Sequence, residues 1–201
     1  MHQRLRAFSA VALTMAFAAA VAPAQDRQPA KEGPPRAALK HYNLGKQRLA
    51  VQGYDPVAYF AEGGGKARKG SPRFTATHRG VTYRFADQKN LERFRKTPDK
   101  FEPAYGGWCA YAMRAGDKVE VDAESFLIQD GRLMLFYNGF FNNTRKSWSK
   151  GDTKAQAKKA DGAWKKISGE SARPEAPKKP APKKPAPGKP GEKKPAAGRG
   201  R

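Results

Sequence analysis

Between His41 and Ile167 apolar and polar residues alternate in short bursts, each closed by a turn signal. In RFTATHRGVTYRF, residues 73–85, the period is two on either side of Arg79-Gly80, which predicts a pair of strands. One face of that hairpin carries Phe74, Ala76, His78, Val81, Tyr83 and Phe85; Thr75, Thr77, Thr82 and Arg84 point the other way. SFLIQDGRLMLFY, residues 125–137, repeats the device around Asp130-Gly131, a strong type I′ turn signal. Here Phe126, Ile128, Leu133, Leu135 and Tyr137 share one face, and Leu127, Met134 and Phe136 the other, so both faces of this pair are expected to be covered. The period lengthens in DQKNLERFRKT, where Asp87 is a plausible N-cap, Leu91 and Phe94 stand three apart and Pro98 is a stop. DTKAQAKKADGAWKKI, from Asp152, places Ala160, Ala163, Trp164 and Ile167 on one helical stripe with lysines around the rest, although Gly162 weakens that helix. Trp108 to Ala115 reads as a short helix ended by Gly116, or as an extended run. The expectation is an α+β fold: a small antiparallel sheet built from hairpins, with short helices, flanked by disordered tails.

The ends of the chain have a different composition. Arg4 and Arg6 precede an apolar run from Ala7 to Ala22, and Ala22-Pro23-Ala24 offers a small-residue cleavage site, so residues 1–24 read as a secretory signal peptide. No later stretch is apolar enough to span a bilayer, and the mature chain is expected to lack a transmembrane segment. The localisation that follows is exported, periplasmic or secreted. Residues 25–40 are Pro-rich and polar and read as a disordered linker; residues 41–168 form the domain. Residues 169–201 are a Lys/Pro/Ala-rich tail, and from Ser171 onward it holds seven Lys and three Arg against two Glu, with no aromatic and no aliphatic larger than Ala. Nothing there offsets the entropy of ordering a backbone. The formal charge of the whole chain is +22. In an exported compartment nucleic acid is not an expected partner, and the expected ones are anionic envelope polymers or lipid headgroups, bound in a salt-sensitive way.

Four stretches carry a resemblance. GYDPVAYF (residues 53–60), YRFADQKNLERFRKTPDKFEPAYGGWCAYAMRAG (83–116), DGRLMLFYN (130–138) and DGAW (161–164) resemble, in that order, the exported bacterial YHS-domain proteins. The resemblance implies an exported accessory domain of a family not established as enzymes. Shorter metal-binding YHS modules carry an Asp-Pro-Val-Cys segment and a Phe-Cys-Ser-x-x-Cys segment. Laid on that pattern, this chain has Ala58, Ala86 and Asn90 where the three thiolates stand. A soft-metal site needs several thiolate or imidazole ligands about 2–2.3 Å from the ion, so the modules' metal function does not transfer by name. Asp55-Pro56 as a turn, Phe85 and Phe94 as core, and Pro98 as a stop do transfer.

The chemistry that remains gathers around YGGWCAYAM, residues 105–113, which holds the single cysteine. An exported chain with one Cys has no internal disulfide. Tyr54, Tyr59, Tyr105, Gly106, Gly107, Trp108 and Cys109 are the candidate wall of a small-ligand pocket, with core packing as the plain alternative. Cys109 and Met113, four apart, form with His78 a candidate copper or zinc site, although Cys and Met are common core residues. Asp55, Asp87, Glu92 and His41 are further potential ligands. A thiol enzyme would need Cys109 activated by His78, His41 or a helix N-terminus, and no hydrolase or phosphate-loop signature accompanies it. The leading expectation is an exported, non-enzymatic YHS-like binding or accessory domain, with no cofactor, whose partner is a small ligand or an envelope protein and whose tail meets an anionic surface. The alternatives are a copper or zinc accessory protein and, third, a thiol enzyme.

Overall fold

Both predicted hairpins form, and each closes on the turn its sequence signals. In the computed structural model, which describes residues 36–172, strand β1 (Ser71–His78) pairs antiparallel with β2 (Val81–Phe85), and β3 (Asp122–Gln129) with β4 (Arg132–Phe136). The linking residues have φ of 48° and 82° at Arg79 and Gly80, and 50° and 74° at Asp130 and Gly131. Positive φ at both central positions is what a type I′ turn requires, and it matches the right-handed twist of the strands. The two hairpins are separate two-stranded sheets within an α+β fold. Residues 1–24, read from sequence as a signal peptide, most of residues 25–40 and nearly all of residues 169–201 lie outside the described residues.

The helices follow their caps. Asp87 accepts the Asn90 amide at 2.9 Å and opens α1 (Gln88–Lys96), whose Leu91 and Phe94 are buried. Pro98 does more than stop that helix: it occupies the first turn of α2 (Pro98–Phe101), where its missing N–H costs nothing. A left-handed 3-10 corner at Ala104–Gly107 leads into α3 (Ala110–Met113), shorter than the sequence suggests because Trp108 is extended and Cys109 is the cap. Helix α4 (Thr144–Lys150), which periodicity does not reveal, is capped by Asn143, and α5 (Thr153–Ser168) by Asp152. Gly162 does not interrupt α5.

Two registers depart from simple alternation. Pairing in the first hairpin jumps from Thr75↔Arg84 to Ser71↔Phe85, so Phe74 is not opposite Phe85. Pro72 lacks the N–H that would continue the ladder there. In the second, Ala123 to Ser125 bulge between Asp122↔Phe136 and Phe126↔Leu135. The bulge frees the Ala123 carbonyl for the Tyr59 hydroxyl, at 2.8 Å.

The core is shared. Val81, Tyr83 and Phe85 of β2 pack with Leu91 and Phe94 of α1, while every residue of β4 is buried. The edge of β4 away from β3 is occupied too: residues 103–109 run alongside it, with parallel bridges Pro103↔Leu133 and Cys109↔Leu135. Helix α5 lies on α3, and α4 touches both.

The domain is wider than its sequence-based limits of 41–168. Arg36, assigned to the linker, donates to Glu102 at 2.7 Å with both side chains buried, and Ala38 is 3% exposed. Glu170, assigned to the tail, accepts from Tyr42 at 2.6 Å and from Arg36 at 3.4 Å. Polar composition hid these ends because Arg36 and Glu170 are held by a long-range ion cluster, beside which Ala38, Leu39 and Ala172 pack on the core.

Candidate functional site

The aromatic-glycine stretch is built as an interior corner. Tyr105, Gly106 and Gly107 have φ of 54°, 60° and 90°, a left-handed run that turns the chain back under α5. A Cβ on Gly106 would come within 2.8 Å of Trp164 and 3.1 Å of Tyr42, so glycine is required there by close approach as well as by φ. Tyr105 is buried and donates its hydroxyl to Asp161 at 2.8 Å, an acceptor shared with Arg132. Tyr59 is buried beneath the β3 bulge. Burial pushes the phenols of Tyr59 and Tyr105 far above their ordinary range. Tyr54 and Trp108 lie at the margin. Tyr54 donates to Glu124, which together with partial burial raises its pKa, and the Lys69 ammonium sits 3.8 Å from its ring centroid. Trp108 donates from Nε1 to the His41 carbonyl.

Cys109 is fully buried. Its Sγ accepts the Tyr137 N–H at 3.3 Å and lies 3.4 Å from Thr144 Oγ1. Because the Thr144 hydroxyl already donates to the Tyr137 carbonyl, the thiol proton is the one directed at Thr144. The thiol therefore has a hydrogen-bond partner on both sides, and no imidazole is among them. Met113 follows one helical turn later and is also buried. His78 stands in a different cluster: its ring meets Phe94 edge-on, and Nε2 is 3.2 Å from Asp99 Oδ1. His78, Asp99 and Glu102 offer ligand atoms within 4.8 Å of one another. That space already has its cation, since Arg36 lies 2.7 Å from Glu102 and 3.8 Å from Asp99, and Arg79 is 3.8 Å from Asp99. A divalent ion would face two guanidinium groups.

The three positions aligned with module thiolates do come together. Asp55 is fully buried, and its Oδ1 accepts the amides of Val57 at 2.8 Å and Ala58 at 3.3 Å. Its Oδ2 accepts the Ala86 amide at 2.9 Å and Asn90 Nδ2 at 2.7 Å. Ala58, Ala86 and Asn90 thus converge on one carboxylate. Each oxygen of that carboxylate already holds two N–H donors, and no sulfur or imidazole is present among them, so this donor set does not fit a soft metal.

Hollows open on the surface of the described residues. A small one, about 190 Å³, borders Gly107 together with Asn43, Leu44, Val51, Gln52 and Glu120. Of the residues proposed from sequence as a ligand wall, Gly107 is the one that lines it. A larger groove of about 710 Å³ lies between the end of α3 and α5. It is lined by the small or apolar residues Ala115, Gly116, Ala155, Gly162, Ala163 and Ile167 and by the cationic Arg114, Lys158, Lys159 and Lys166. The three lysines are exposed. Arg114 is held over the Tyr111 ring at 3.5 Å and donates to Gln156 at 2.9 Å, which fixes one cation in place. A Cβ at Gly162 would meet nothing within 4 Å, so this glycine serves no packing need and leaves the groove open. The sequence shows lysines around α5 but not the groove; Lys158-Lys159 and Lys165-Lys166 flanking a helical glycine are the signal that could have found it. No family model, curated protein or solved structure matches this chain.

Proposed function

We propose that this chain is an exported, non-enzymatic accessory domain on a YHS-like scaffold that binds anionic envelope surfaces. The groove beside α5 carries the reading. Four cationic side chains share the lining of a groove of about 710 Å³ with small and apolar residues, a combination suited to an anionic headgroup or acidic polymer with some apolar character. The Lys/Pro/Ala tail adds sequence-independent attraction of the same sign. A buried, doubly bonded Cys109 supports the absence of thiol chemistry. The convergence of Ala58, Ala86 and Asn90 on Asp55 supports kinship with the metal modules while replacing their ion by an internal hydrogen-bonded carboxylate.

The test is charge reversal of the groove lysines. Lys158→Glu, Lys159→Glu and Lys166→Glu combined lower affinity for phosphatidylglycerol vesicles or an acidic polysaccharide by about 100-fold, taking about 1 kcal/mol for each lysine removed at an anionic surface. Unchanged binding would move the function to the tail alone. Kinship has its own check. Ala58→Cys, Ala86→Cys and Asn90→Cys together, if the variant keeps its circular dichroism, produce stoichiometric Zn(II) uptake in reduced protein, and a folded variant that takes up none would count against the module scaffold.

A further inference from the structure

The groove selects an anionic surface without saying which kind; a second element does. Tyr137, Phe140 and Phe141 are the exposed large hydrophobic residues among those described, and all three lie in the loop joining β4 to α4. Asn138 and Asn143 bridge its base, with Asn143 Nδ2 donating to Asn138 Oδ1 at 2.9 Å. Gly139 N donates to the Asn142 carbonyl at 2.9 Å, and Asn142 N returns to the Gly139 carbonyl at 3.3 Å. This closes a tight turn with the two phenylalanines at its tip, each 95% exposed and resting edge-to-face on the other with centroids 4.9 Å apart. The base is braced to the body by Asn138, which donates to Asp122.

The size and charge of this tip point to its occupant. Two rings offer roughly 150–250 Å² each, well short of the roughly 800 Å² per side that a stable protein interface buries. The tip is a protrusion rather than a groove. Arg145, Lys146 and Lys150 follow immediately and are exposed, and no acidic residue occurs between Asp130 and Asp152. Helix α4, which carries those cations, packs against α3 and α5, the two helices beside the lysine-lined groove. Adjacent aromatic residues at a tip with cations behind them are the complement of a bilayer interface with anionic headgroups.

We propose that Phe140 and Phe141 insert into the interfacial layer of an anionic lipid bilayer while Arg145, Lys146 and Lys150 engage its headgroups. The proposal rests on the anionic-surface reading above and narrows it to lipid. It is tested with the whole exported chain, tail included, on vesicles of phosphatidylglycerol with phosphatidylethanolamine and on vesicles of phosphatidylcholine. Wild type binds the anionic vesicles and keeps a bound fraction at about 0.5 M salt, where charge attraction is screened. Phe140→Ser with Phe141→Ser weakens binding about tenfold at low salt and abolishes the salt-resistant fraction. Phe141→Trp gains a blue-shifted emission that brominated lipids quench. Full binding by the serine variant, together with an indole that brominated lipids leave unquenched in the Phe141→Trp variant, overturns insertion and leaves the anionic-surface reading standing. Retention on acidic polysaccharide without vesicle binding does the same. Binding to neither overturns both. Phenylalanine-dependent self-association without lipid binding makes a second copy of the chain the occupant and overturns the proposal.

Discussion

Two stretches of this molecule combine aromatics with glycine and end up in opposite places. YGGWCAY, residues 105–111, looks like a binding wall in sequence, yet it folds into the interior, with Tyr105 and Cys109 buried and Gly106 pressed against Trp164. YNGFFNN, residues 137–143, attracts no notice by periodicity, yet it holds its two phenylalanines almost wholly in solvent. The difference is made by what receives the side chains. Three consecutive left-handed residues turn the first stretch under α5, where Asp161 waits for the Tyr105 hydroxyl. The second closes on its own backbone and leaves its tip exposed among the described residues. Aromatic content marks where burial energy is available, and backbone direction decides whether the fold or a partner collects it.

The sharpest way to break the contrast is at Gly106. Gly106→Ala combines a left-handed backbone penalty with overpacking against Trp164 and costs about 2–5 kcal/mol in denaturant unfolding. Next is Tyr105→Phe, which removes a hydrogen bond to a carboxylate and costs about 1.5–3 kcal/mol. That variant also changes alkaline behaviour. Burial raises the folded pKa of Tyr59 and Tyr105 above the unfolded value near 10, so their contribution is complete below about pH 10 and is lost as pH rises beyond it. Each contributes up to about 1.4 kcal/mol per pH unit to that decline, and Tyr105→Phe removes one of these contributions, as unfolding from pH 9 to 11.5 would register. A glycine outside the corner gives the opposite sign: Gly162→Ala has open space and raises stability by about 0.5–1 kcal/mol. Smallest of all is the loop, where Phe140→Ser with Phe141→Ser shifts the unfolding midpoint by less than the equivalent of about 0.5 kcal/mol. A larger loss would mean that these rings belong to the core.

What could be read in advance was local. The Arg79-Gly80 and Asp130-Gly131 turns, the Asp87 cap, the helix start at Asp152 and the Leu91–Phe94 and Trp164 stripes each depend on residues within a few positions, and all of them form. What could not be read depends on distant partners. The β3 bulge exists for Tyr59 and Tyr54, far back in the chain. Asp55, read from sequence as a turn residue and an occasional oxygen ligand, becomes the buried junction between the 53–60 segment and the start of α1 only when Ala86 and Asn90 arrive. The groove is of the same kind, since its lining joins residues 114–116 to α5. The exposed loop escapes notice for another reason: a short apolar pair inside a turn signal has no period to detect.

The contact of Arg36 and Tyr42 with Glu170 gives the described body nearly the topology of a ring, because its first and last residues meet at one pole. A short peptide joining residue 172 to residue 36 would close that ring with the ion cluster intact. Opening it at Gly64-Gly65, both exposed and both with positive φ, would then yield a circular permutant whose ends lie at the 3-10 turn before β1. The same geometry sets both ends of the described body at one pole, so a change to Glu170 is felt at the opposite end of the sequence, in Arg36 and Tyr42.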